Sequence, residues 1–142
     1  MATTRTAKAH WEGSLLEGAG QVALESSGVG TYDVTWASRS QDANGKTSPE
    51  ELIAAAHSTC FSMALSNALA GADHAPESLD TTADVTFQPG KGITGIKLSV
   101  NGKVPGLTAD QFAQFAEDAK KNCPVSQALT GTTITLDVNF TA

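Results

Sequence analysis

Basic residues are scarce in this chain, aromatics are few, and cysteine is scarcer still. Of 142 residues, 9 are Lys or Arg against 15 Asp or Glu, for a formal charge of −6 and an isoelectric point near 4.8. An acidic surface repels phosphate backbones and anionic headgroups, which argues against nucleic acid or a membrane surface as partner. Lys120-Lys121 is the only basic pair. No Gly-x-Gly-x-x-Gly or Walker pattern occurs, and Gly90-Lys-Gly92 reads as a turn, so no cofactor is expected. With only 2 cysteines and no Cys-x-x-Cys or His-x-x-x-His pair, a tetrahedral metal set cannot be assembled from neighbours. The first ten residues lack an apolar core of the kind a signal peptide needs, and a cytoplasmic location is expected. In that reducing compartment two cysteines do not suggest a structural disulfide. They are either inert core residues or redox-active ones.

What is present reads as one soluble domain over residues 1–142, with 40% hydrophobic and 17% charged residues and no linker or repeat. Strands are expected over Lys8 to Trp11, Gly20 to Glu25 and Thr31 to Ala37, the last alternating through Tyr32, Val34 and Trp36. Asp42 to Gly45 reads as a loop. Ser48 then caps a helix with Pro49 in its first turn and Glu51 completing a capping box, and Gly71 ends it. From Leu52 to Ala72 no residue is charged, a length that could span a bilayer. His57, Ser58, Thr59, Ser62, Ser66 and Asn67 interrupt it, so a helix buried in protein fits better. Thr81 to Gln88 and Ile93 to Val100 form a hairpin through Pro89-Gly-Lys-Gly92. A helix over Thr108 to Lys121, a short one from Pro124 to Leu129 and a strand over Thr132 to Phe140 close the chain. The order βββ-α-ββ-αα-β indicates an α+β fold.

Cys60 falls inside the apolar helix, where a thiol is ordinarily inert. For it to attack anything at neutral pH, a fixed positive charge must stabilise its thiolate. The chain has only two arginines, Arg5 and Arg39, and Arg39, just after the third strand, is the candidate. Glu50 could hold it in a bidentate pair, or could simply complement the helix dipole. Glu50 and Cys60 are ten residues apart on one helix, roughly 15 Å along its axis. Either Arg39 bridges that gap, or Arg39 and Glu50 reach Cys60 from a second copy of the chain. Cys123, followed by Pro124, stands at a helix start where backbone N–H groups favour a thiolate, so either cysteine could be the nucleophile. His57 shares a helix face with Cys60 and reads as a hydrogen-bonded interior histidine. His10 and His74 have no partner spacing.

At these residues the chain resembles the OsmC/Ohr group of thiol-dependent hydroperoxide reductases, its OsmC (osmotically inducible protein C) branch in particular. The stretches that carry the resemblance are Ala9-His-Trp-Glu-Gly13, Ser48-Pro-Glu-Glu-Leu through His57-Ser-Thr-Cys-Phe61 to Ser66, Asp80 to Val85, and Cys123-Pro-Val-Ser-Gln-Ala-Leu129. They span nearly the whole chain in the same order. The match departs at Ser40, where the family arginine is commonly followed by an aromatic. The resemblance implies Cys60 as the peroxidatic cysteine, Cys123 as the resolving one, Arg39 as the catalytic arginine and Glu50 as its anchor. It implies an intertwined homodimer in which antiparallel sheets wrap two long central helices. It implies organic hydroperoxides, and hydrogen peroxide, as substrates, and a lipoylated protein or small dithiol as reductant. The rival from another class is a non-catalytic dimeric protein that binds an apolar ligand.

Overall fold

A computed structural model describes all residues, Met1–Ala142. The chain forms two compact units, Met1–Leu52 and Ile53–Ala142.

In the first unit, β1 (Lys8–Glu12), β2 (Ala19–Ala23) and β3 (Thr31–Val34) make an antiparallel meander in the order β1-β2-β3. Lys8 faces Ala23, and Ala23 faces Thr31 on its other side. The strand expected as far as Ala37 stops at Val34. Thr35 caps a one-turn helix, α1 (Trp36–Ser40), instead. The Thr35 Oγ1 accepts the Ser38 N–H at 3.0 Å, and the Ser38 Oγ accepts the Thr35 N–H at 3.0 Å. This reciprocal box offers the backbone a better alternative than continuing the strand. Ser38 also donates to the Thr47 carbonyl at 2.8 Å, and the Thr47 N–H bonds to the Asp33 carbonyl at 2.9 Å. The loop between them is thereby folded back onto the end of β3.

The long helix α2 runs over Pro49–Gly71, as the caps foretold. The Ser48 Oγ accepts the Glu51 N–H at 3.1 Å. The expected box is only half made, because Glu51 Oε1 takes the Thr47 hydroxyl at 2.6 Å rather than the Ser48 N–H. By length and hydropathy α2 could cross a membrane, but it does not behave as apolar all round. Beyond Glu50 in its first turn, its buried residues fall every fourth position, at His57, Phe61, Leu65 and Leu69. Met63, Asn67 and Ala70 on other faces are exposed in the single chain, Met63 by 69%. Small Ala and Ser side chains between the large ones explain why one stripe alone forms the core contact.

The second unit packs that stripe with a three-stranded sheet. Its strands are β4 (Ser78–Gln88), β5 (Gly92–Lys103) and β6 (Ile134–Thr141), in the order β4-β5-β6. β4 and β5 are antiparallel through a turn at Pro89 to Gly92, with a bulge at Thr86/Phe87. β6 lies parallel to β5, Ile96 facing Ile134 and Lys103 facing Thr141, so this sheet is mixed rather than wholly antiparallel. A parallel neighbour requires a crossover. It is supplied by α3 (Ala109–Asn122) and α4 (Pro124–Ala128). Thr108 caps α3 in a full box with Gln111. Phe112, Ala116 and Ala119 of α3 join Phe61, Leu65, Leu69, Leu98, Val100 and Cys123 in one core. Each fully buried Phe or Leu there contributes about 1.5–3 kcal/mol. That core presses α2 against the segment carrying Cys123.

Candidate active site

In the first unit, α1 delivers Arg39 and the first turn of α2 delivers Glu50. The Arg39 Nε donates to Oε1 and to Oε2 of Glu50, both at 3.1 Å, and the Arg39 Nη2 donates to Oε2 at 2.9 Å. Of the two readings open for Glu50, the fork pairing with Arg39 is the one made, and within the chain. The Glu50 side chain is 7% exposed and that of Arg39 32%, so the carboxylate is the deeper partner. Short charge-assisted bonds of this kind fix a guanidinium in one orientation. Beside the pair opens a cavity of about 270 Å³ whose walls include Trp11, Leu15, Val34, Trp36 and Leu52. It is an apolar chamber with a cation at its edge. No sequence periodicity marks Trp11 and Trp36 as cavity walls.

In the second unit, Cys60 is half-buried on α2 and Cys123 is fully buried, both as free thiols. Cys123 ends α3 and begins α4. Its N–H bonds to the Ala119 carbonyl at 2.9 Å, its carbonyl accepts the Gln127 N–H at 3.0 Å, and Pro124 follows at the first helical position. The Cys60 thiol meets the Cys123 side chain and the backbone N–H of Val125. Burial, first, raises the Cys60 thiol above its ordinary value, and the hydrogen bond to Cys123 and its charge push the same way. The Val125 N–H acts in the opposite sense without reversing the sum. A shallow groove opens at Cys60 between Met63, Asn67, Asp118 and Asn122.

One turn of α2 away, the His57 Nε2 lies 2.7 Å from the Ser126 Oγ, and both residues are buried. The interior histidine read from sequence is thus hydrogen-bonded, though its Nδ1 has no partner. Burial lowers its pKa below 6.5 and keeps the ring neutral. Ser126 was not singled out from sequence. Its signal is the spacing: His57-x-x-Cys60 on one helix faces Cys123-x-x-Ser126 on the other. No group of three or more His, Cys, Asp or Glu side chains is arranged so that it could hold a metal ion.

Two free thiols brought side by side from distant parts of the sequence, Cys60 midway along α2 and Cys123 at the start of α4, on an α+β scaffold make a candidate dithiol site. The model of the OsmC-like protein family matches residues 41–139. Peroxiredoxin OsmC of Escherichia coli strain K12 is 44% identical over 140 residues, 96% of each chain. The organic hydroperoxide resistance protein OhrA of Bacillus subtilis strain 168 is 32% identical over 95 residues, 65% of this chain and 67% of that one. The crystal structure of an organic hydroperoxide resistance protein OsmC from Legionella pneumophila shares the fold, with a TM-score of 0.72 at 24% identity over 98% of each chain. This chain belongs to the OsmC family.

Proposed function

We propose that the chain is a cysteine peroxidase that reduces organic hydroperoxides, and hydrogen peroxide, with Cys60 as nucleophile and Cys123 as resolving thiol. The observation that carries this reading is the meeting of the Cys60 thiol with Cys123 and the Val125 N–H. The half-buried Cys60 faces a groove, whereas Cys123 is closed off, which supports Cys60 as the thiol that meets the peroxide first. The Cys60 thiolate attacks the terminal peroxide oxygen. The O–O bond breaks, an S–O bond forms, and the alkoxide leaves as alcohol with a proton, or as water when the substrate is hydrogen peroxide. The Cys123 thiolate then attacks the sulfenic sulfur. The S–O bond breaks, hydroxide leaves as water, and the disulfide closes before a second peroxide can over-oxidise Cys60. Two electrons from a small dithiol or a lipoylated protein reopen it by exchange.

Within its own unit the Cys60 thiol is pushed upward, so it needs a cation to ionise at neutral pH. Arg39, anchored by Glu50, supplies it. Ten residues of continuous helix separate Glu50 from Cys60, roughly 15 Å of axis. The arginine is therefore assigned to a second copy of the chain, in a homodimer with paired sites. The uncovered face of α2 around Met63 supports that assembly. The apolar cavity beside Arg39 suits the hydrocarbon part of an organic hydroperoxide. The chain acts as a single OsmC-like domain in the cytoplasm.

Non-reducing mass analysis after one equivalent of cumene hydroperoxide tests the reading. The parent forms a Cys60–Cys123 bond, Cys60→Ser loses turnover, and Cys123→Ser stops at one oxidation event without a disulfide. Unchanged turnover in both variants ends the proposal. Slow, unselective thiol oxidation in the parent would instead favour a binding protein for apolar ligands.

A further inference from the structure

We infer that His57 and Ser126 form a clamp that sets the register of α4 on α2 and thereby governs disulfide closure, not attack on peroxide. The inference rests on the two-thiol cycle proposed above. Both residues are positioning residues, since neither touches substrate.

The contacts between the two segments form two rungs. Cys60 meets Cys123 and Val125, and His57 meets Ser126 at 2.7 Å. On α2 the rungs are three residues apart, and from Cys123 to Ser126 they are again three apart with the order reversed. Residues three apart on a helix share a face. A shift of α4 along α2 therefore separates both rungs together, and whatever holds one holds the other. The thiol rung cannot hold itself, because its bond is broken and remade in every cycle.

α4 packs on the core through Val125, but the only hydrogen bond its own side chains make to the rest of the fold is the one between Ser126 and His57. It is five residues long, and Cys123 makes no side-chain cap bond to it. A single helical turn has almost no intrinsic stability. The His57–Ser126 bond lies where water cannot compete, with His57 0% and Ser126 3% exposed. The imidazole has no second partner, because Nδ1 is buried and unpaired. Ser126 is thus the only polar anchor of the ring, and the ring ties α4 to the peroxidatic helix. Disulfide formation tolerates only a narrow range of sulfur positions. A loosened α4 lets Cys123 wander out of that range while Cys60, carried on α2, stays in place. In closure the Cys123 thiolate displaces hydroxide from the Cys60 sulfenic acid. If it is late, a second peroxide converts that acid to sulfinic acid.

Stopped-flow oxidation of the full chain by cumene hydroperoxide, followed by mass analysis of timed quenches, separates the two steps. In Ser126→Ala, closure slows about tenfold or more, and sulfinic acid builds up at excess peroxide. The first oxidation changes no more than about threefold, since Cys60 itself is not displaced. Ser126→Thr, which keeps the hydroxyl, and His57→Gln, which keeps an N–H donor, bring closure back toward the parent rate. Circular dichroism confirms that each variant is folded. A general loosening of the fold would slow both steps alike and would not be rescued by the conservative variants. Closure at the parent rate in folded Ser126→Ala overturns the inference while leaving the peroxidase reading intact. Absence of any disulfide in the parent removes both.

Discussion

Removing the Arg39 side chain leaves the Glu50 carboxylate almost entirely buried with its three hydrogen bonds gone. Unit charges about 4 Å apart attract by about 4 kcal/mol at an effective dielectric constant near 20. Stranding one member of a buried pair costs about 3–5 kcal/mol, and the one-third exposure of Arg39 places this pair at the low end. Arg39→Ala should therefore lower the unfolding free energy by about 3 kcal/mol. Glu50→Gln keeps an acceptor for the guanidinium but removes the charge, and should cost about 1–2 kcal/mol. The double variant Arg39→Ala/Glu50→Gln should be more stable than Arg39→Ala alone by about 1 kcal/mol or more, because no charge is left stranded. Urea unfolding at fixed protein concentration measures all three, with tryptophan fluorescence as the probe. Trp11 and Trp36 both line the cavity beside the pair, so the signal comes from the right unit. A cost below about 1 kcal/mol for Arg39→Ala, or simple additivity in the double variant, would refute the view that this ion pair is a mutual anchor.

Gly102 on β5 lies against the ring of Phe112, which itself stacks on Phe140 with centroids 5.0 Å apart. Gly102→Ala puts a methyl into that ring and should cost about 1–3 kcal/mol by thermal melting, recovered in part by Phe112→Leu. The neutral, buried His57 predicts a pH dependence. The unfolded chain takes up a proton below pH 6.5 that the folded chain refuses, so stability is lost as pH falls through that value. The slope from this one group is at most about 1.4 kcal/mol per pH unit. His57→Gln should therefore compare more favourably with the parent at pH 5 than at pH 7 in urea melts. An equal difference at both would contradict a buried neutral ring.

The start of α2 was legible because Ser48, Pro49 and the run of small apolar residues each carry a local rule. The hairpin of β4 and β5 was legible through alternation and its glycine turn. α1 was not, since Tyr32, Val34 and Trp36 alternate like a strand, and the Thr35–Ser38 box uses a serine where glutamate or glutamine is the usual sign. The direction of β6 was hidden because alternation fixes a strand's faces and not the sense of its neighbour. The one-sided burial of α2 was missed for a related reason: composition shows that a helix is apolar, not which stripe finds a partner within its own chain. At the site, Arg39 was singled out by the scarcity of arginine, while its pairing with Glu50 stayed one of two readings until the family resemblance favoured it. The meeting of Cys60 with Cys123 came from family resemblance, and Ser126 from neither. A serine hydroxyl has no signature until the fold sets a buried ring nitrogen beside it.

The parallel seat of β6 beside β5 has a consequence for how the protein is made. The segment that bears the second sulfur is the connection between these strands, so its position is not settled until the last residues of the chain have been built in. During synthesis the first sulfur emerges on a helix whose partners are still inside the ribosome. A chain cut short before Ile134 would carry both thiols but lack the strand whose pairing with β5 closes the crossover that seats the second one.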